Sequence, residues 1–118
     1  MGLDMKIVEG EGYKITCQPD DKKVIFSGTL RLGGLKEYSP IIECLESSIE
    51  DCNNLSLDLK ELDFLNSSGI AMFSKFVIAA RGKQGLQLTI LGSNAISWQG
   101  KSLKNLQRLM PSLNLIME

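Results

Sequence analysis

From Tyr13 to Cys17 apolar and polar residues alternate, with Tyr13, Ile15 and Cys17 on one side of the chain, the pattern of a half-buried strand. Pro19, Asp20 and Asp21 read as a turn. Lys23 to Leu30 is β-branched and aromatic enough for a second strand, antiparallel to the first. After Gly33 and Gly34 the period changes: Ile41, Ile42, Leu45, Ile49 and Cys52 recur at helical spacing, with Glu43, Glu46 and Glu50 between them. Ser39 is placed to cap this helix and Pro40 to occupy its first position. Asn53 and Asn54 end it, and Leu55 to Leu59 alternates as a third strand. A helix between two strands predicts a parallel pair with a right-handed crossover.

The same unit then repeats. An apolar run, Leu62, Phe64 and Leu65, leads into a second helix from Ser67 or Ser68 to Arg81, with Gly82 at its C-terminal end. Its core face is read as Ile70, Phe73, Val77 and Ala80. Gln87 to Leu91 is a fourth strand; Ser93 to Gly100 gives mixed signals; Leu103, Leu106, Leu109 and Met110 mark a third helix that stops before Pro111. A short strand from Leu113 to Met117 closes the edge. The pattern predicts an α/β fold: one mixed sheet of four to five strands with α-helices packed on it. Residues 1–12 are expected to be a mobile leading segment, and Gly33-Gly34 and the Trp98 region are further candidates for mobility.

Composition narrows the function classes. The 118 residues, 43% of them hydrophobic, suffice for one domain with a single core, so residues 1–118 are read as a single domain. Thirteen basic and fourteen acidic residues leave a net charge of −1, which gives no electrostatic footprint for nucleic acid or an anionic membrane. No signal-peptide pattern and no long apolar run is found, so a cytoplasmic location is expected. Cys17, Cys44 and Cys52 lack metal-ligand spacing and have no histidine beside them; they read as reduced core thiols. Asp58, Glu61 and Asp63 cluster near the end of the third strand and are read as solvated carboxylates, with no metal expected. Without histidine a serine has no general base of the usual kind, and no phosphate-binding glycine loop occurs. The chain is therefore not expected to be an enzyme or to hold a cofactor.

One segment stands out. Asn66, Ser67, Ser68 and Gly69 lie where a strand turns into a helix, and the first turn of a helix, with unpaired N–H groups and the positive end of the macrodipole, suits an anion such as a serine phosphate. The bare structural alternative is that the two serines simply cap the helix. Met72 and Phe76, beside the expected core face, form an exposed interface patch unless the sheet is wide enough to bury them. Trp98 reads as an interface anchor or as a lid over the end of the core.

The strand, loop and helix centred on Leu62-Asp63-Phe64-Leu65-Asn66-Ser67-Ser68-Gly69-Ile70 resemble the STAS domain, the family of sulfate transporter domains and anti-sigma factor antagonists. Phe26-Ser27-Gly28-Thr29-Leu30 is similar to that family's hydrophobic-x-Gly-x-Leu strand, and the likeness runs on through Met110. Asn66 stands where the family has Asp, and Arg31 where an acidic residue is common. The resemblance implies a STAS fold and a protein partner, an anti-sigma factor or serine kinase-like regulator. It also implies phosphorylation of Ser67 as the switch that releases that partner, and a docking surface of Arg31, Asn66, Ser67, Ser68, Gly69, Met72 and Phe76. A homodimer stays open, as do a STAS scaffold or ligand-binding domain without phosphorylation and, behind both, an enzyme.

Overall fold

The computed structural model describes residues 5–18, 21–50 and 53–118. The chain runs β1 (Lys6–Gly10), β2 (Tyr13–Gln18), β3 (Lys23–Leu30), α1 (Ser39–Glu50), β4 (Asn54–Leu65), α2 (Ser67–Arg81), β5 (Gln87–Gly92), α3 (Gln99–Leu109) and β6 (Asn114–Met117). Six strands form one mixed sheet in sequential order, β1-β2-β3-β4-β5-β6. The first three are antiparallel, and β3, β4, β5 and β6 run parallel, each joined to the next through a helix. This is the expected α/β architecture with one strand more than expected.

The additional strand is β1, so the reading of residues 1–12 as mobile is corrected over Lys6–Gly10. Its pattern is exposed at every position but Val8. An edge strand with so little burial has almost no period-two signal, and Gly10 at its end and Gly12 in the turn into β2 disguise it further. Residues 1–4 lie outside the described residues, as do Pro19 and Asp20 of the expected turn and Cys52 of the expected helix face.

One face of the sheet is buried. Cys17, Val24, Leu57, Ile90 and Leu115 lie in register across it, and Ile15 pairs with Phe26. The helices cover this face side by side, α2 between α1 and α3, and the Phe73 ring of α2 meets Phe26 of β3 at 5.1 Å with the planes 56° apart, an arrangement favoured by the ring quadrupoles. α1 starts a residue earlier than expected. The Tyr38 carbonyl accepts from the N–H of Ile42 at 3.0 Å, while Ser39, expected as the cap, turns its hydroxyl to the Leu35 carbonyl. Among the described residues no helix is long and apolar enough to cross a membrane.

β4 is longer than the segment predicted. Its buried residues are Leu55, Leu57 and Leu59, then Leu62, then Leu65. The two steps of three coincide with register shifts against β3 between Ile25 and Ser27 and between Gly28 and Thr29, so two bulges return the apolar face to the core. β5 accompanies β4 only as far as Asp58. Beyond that point side chains replace the missing strand: Gln99 Nε2 donates to the carbonyls of Leu59 (2.6 Å) and Leu62 (3.0 Å), and Trp98 Nε1 also donates to Leu62 (3.0 Å). The Gln99 carbonyl oxygen accepts from Ser93 N–H at 2.8 Å. Trp98 is thus a half-buried lid fastened to β4.

Cys17 on β2 and Cys44 on α1 are joined as a disulfide, which corrects their reading as separate reduced thiols. Strand and helix periods each turn one cysteine inward, and the two meet because α1 packs on β2. The expected result of thiol titration in non-reducing denaturant is one reactive thiol from the three cysteines of the chain, rising to three after a reductant is added. Three reactive thiols before reduction would show that the pair is open.

Candidate functional site at the start of the second helix

β3 and β4 end together, with Thr29 opposite Phe64 and Leu30 opposite Leu65. Asn66 follows in extended conformation (φ −80°, ψ 176°) as the N-cap of α2. Its backbone N–H donates to the Leu30 carbonyl at 3.1 Å and its side-chain Nδ2 to the Leu32 carbonyl at 2.8 Å. Its Oδ1 accepts twice, from Gly69 N–H at 2.9 Å and from the Tyr38 hydroxyl at 2.8 Å. One amide therefore ties the end of β3, the approach to α1 and the first turn of α2 together. A carboxylate has acceptors for Tyr38 and Gly69 but no donor for Leu32, so this geometry gives the asparagine a structural reason.

Tyr38 is fully buried. Burial, the largest cause, pushes its phenol above the ordinary value near 10, with bonding near Leu32 acting in the opposite direction; the hydroxyl stays a donor to Asn66. Gly69 lies directly beneath. A Cβ there would collide with the Leu65 side chain and come within 2.7 Å of the Tyr38 hydroxyl oxygen, so the close approach of helix and tyrosine requires glycine.

Capping is carried by Asn66. Ser67 is exposed and Ser68 half-buried, and neither hydroxyl takes part in the cap. The reading of the serines as cap residues is thereby corrected: Ser67 presents a free hydroxyl at the first position of a helix whose end is already satisfied.

Arg31 follows β3 between Leu30 and Leu32, the two residues whose carbonyls Asn66 engages. It is exposed, and its guanidinium carbon lies 4.7 Å from the centre of the Phe64 ring. Phe64 is itself 38% exposed. The pair forms a flat cationic and aromatic plate, of a kind worth about 0.5–1 kcal/mol at exposed sites. Phe64 is absent from the expected set of site residues. It sits within an apolar run, and only the second bulge of β4 turns it outward.

Met72 and Phe76 are corrected in the opposite sense. They are 1% and 5% exposed and form no patch. The buried stripe of α2 is Gly69, Met72, Phe73, Phe76, Val77 and Ala80, centred between Phe73 and Phe76, with Ile70 only half-buried. A helix flanked on both sides by other helices buries this wider arc. The acidic cluster disperses: Asp58 pairs with Lys23 at 3.8 Å and accepts from the N–H of Lys60, while Glu61 and Asp63 are exposed. Among the described residues no group of side chains is arranged to hold a metal ion.

No protein-family model matches the chain, and no curated protein matches it in sequence. Solved structures do. SiaC of Pseudomonas aeruginosa superposes with a TM-score of 0.74 at 15% identity, covering 98% of each chain. SiaC in its crystal structure with the diguanylate cyclase SiaD, of which it is the activator, matches with a TM-score of 0.71 at 14% identity, over 96% of this chain and 99% of that one. An anti-sigma factor antagonist from Mycobacterium paratuberculosis matches with a TM-score of 0.58 at 14% identity, over 97% of this chain and 90% of that one. The fold is STAS-like. At these identities the likeness establishes architecture, and residue roles have to come from the corner itself.

Proposed function

We propose that this domain is a regulatory docking module whose working surface is the start of α2 with the adjoining rim of β3 and β4: Arg31, Phe64, Asn66, Ser67 and Ser68, with Gly69 holding the corner's shape. The observation that carries this reading is the exposed Ser67 hydroxyl on a first helical turn already capped by Asn66. The serine has no structural task there. Support also comes from the fold, since one structural relative is an activator in complex with a diguanylate cyclase and another is an anti-sigma factor antagonist.

Ser67 is the phosphoacceptor in this reading. A phosphate would add about −1.5 to −2 charges at neutral pH, stabilised by the helix N-terminus. On a surface built for close contact with another protein, that charge and its hydration oppose docking. No rearrangement of the fold is needed.

The test uses purified components, once a binding protein has been isolated from the organism's own cells. Ser67→Ala is expected to bind that protein as the wild type does, and Ser67→Asp to bind on the order of 100-fold more weakly, about 2.7 kcal/mol, with melting midpoints unchanged. Equal affinity for the wild type, Ser67→Ala and Ser67→Asp overturns the switch and favours a constitutive scaffold.

A further inference from the structure

The hydrogen-bond pattern fixes which backbone groups of β1 face outward. Thr29 N–H donates to the Gly12 carbonyl at 2.8 Å. By alternation the even-numbered residues of β2 therefore bond to β3, and Tyr13, Ile15 and Cys17 bond to β1. Their partners are Gly10, Val8 and Lys6. The N–H and C=O groups of Ile7 and Glu9 consequently point away from the sheet and, among the described residues, are bonded to no strand. Next to them stand the two most exposed large hydrophobic side chains of the described residues, Met5 at 57% and Ile7 at 46%.

We propose that β1 is the contact strand of a symmetric dimer, pairing antiparallel with β1 of a second copy about a two-fold axis through Ile7. An axis perpendicular to the sheet keeps each side chain on its own face, so only residues of like parity can stand opposite each other. The register that brings the exposed Ile7 side chains together sets Ile7 against Ile7, Met5 against Glu9 and Lys6 against Val8. In that register the outward N–H and C=O groups of Ile7 meet their own counterparts, and those of Met5 meet those of Glu9.

Two features favour a second copy over an unrelated strand. β1 carries one lysine and one glutamate, so like strands approach without net repulsion. On the helix side Lys6, Val8, Pro40 and Glu43 line one shallow groove, and the register sets Lys6 of the second copy opposite Val8 in this lining, where Glu43 supplies an opposite charge. The opposite edge offers no equivalent closure. β6 is only four residues long, and a contact between β1 and β6 would be head-to-tail and would not close.

The interface is small, so association is expected with a Kd on the order of tens of micromolar. Sedimentation of the full chain is expected to show a mass rising with concentration from 13.0 kDa towards twice that value. Ile7→Lys, which sets two like charges face to face, and Ile7→Pro, which removes an outward N–H, are expected to stay at the monomer mass with intact helical circular dichroism; Ile7→Val should still associate. Hydrogen exchange at the Ile7 amide is expected to slow with concentration in the wild type alone. A wild type monomeric up to roughly millimolar concentration, an Ile7→Lys variant that associates like the wild type, or a dimer whose Ile7 amide exchanges freely would each overturn the proposal. Ser67→Asp is expected to leave the mass curve unchanged, so the result is read separately from docking at α2.

Discussion

Replacing Gln99 by leucine is expected to lower stability by about 3–4 kcal/mol, although the two side chains are similar in size and the site is fully buried. The amide bonds to three backbone groups at once, the carbonyls of Leu59 and Leu62 and the N–H of Ser93. Trp98 still reaches the Leu62 carbonyl in the variant, but the Leu59 carbonyl and the Ser93 N–H lose their bonds to the amide where water is excluded. Each such loss costs about 1–3 kcal/mol, well above the gain from burying a more apolar side chain. For a domain of this length that is a fall of roughly 10–15 °C in melting midpoint. Gln99→Glu is expected to be at least as damaging at neutral pH, since a carboxylate cannot donate to either carbonyl and its charge is buried. A midpoint within 2–3 °C of wild type, which corresponds to well under about 1 kcal/mol, would show that the far end of β4 does not depend on this amide.

The second large effect is at Asn66. Asn66→Leu removes the cap of α2, about 1 kcal/mol, and also leaves the buried Tyr38 hydroxyl without its acceptor, a further 1–3 kcal/mol or so. A total near 3 kcal/mol in denaturant unfolding is expected. Asn66→Asp should lose much less, about 1 kcal/mol: it keeps the bonds to Tyr38 and Gly69, gives up the donation to Leu32, and regains part of the difference because a negative charge is favoured at a helix N-terminus. Tyr38→Phe measured alone and together with each variant separates the shared bond: its effect is expected to be strongly non-additive with Asn66→Leu, which already removes that bond, and nearly additive with Asn66→Asp, which keeps it. Equal losses for Asn66→Leu and Asn66→Asp would contradict the network.

The strongly periodic elements were legible from the residues. β2, β3, α1, α2 and β5 follow from spacing, and the parallel pairing of β3 with β4 follows from the intervening helix. β1 was hidden because an edge strand buries almost nothing. β4 looked like a short strand followed by a separate apolar run, because two bulges shift the phase of its leucines. Gln99 is polar within a segment of mixed signals, and its value lies in carbonyls 40 and 37 residues away in sequence.

The candidate corner was legible in position and less so in composition. Asn66, Ser67, Ser68 and Gly69 do form the start of α2, and the residues on either side of Arg31 bond to Asn66. The division of labour within the corner depends on the fold: the asparagine caps and the serines do not. Met72 and Phe76 were misplaced because helical spacing gives the stripe but not its centre, and the packing of α1 and α3 on either side sets its width. Phe64 was overlooked for the converse reason, as an aromatic in an apolar run whose exposure depends on a bulge.

The central claim is that Ser67 is free to be modified and that modification undoes docking. Its most direct test is fragment mapping by mass spectrometry of the protein recovered from its own cells, comparing the fraction bound to a partner with the free fraction. The account predicts a phosphate on Ser67, absent from Ser68, concentrated in the free fraction and abolished by Ser67→Ala. A phosphate confined to other residues, or one on Ser67 equally abundant in the bound fraction, would contradict it.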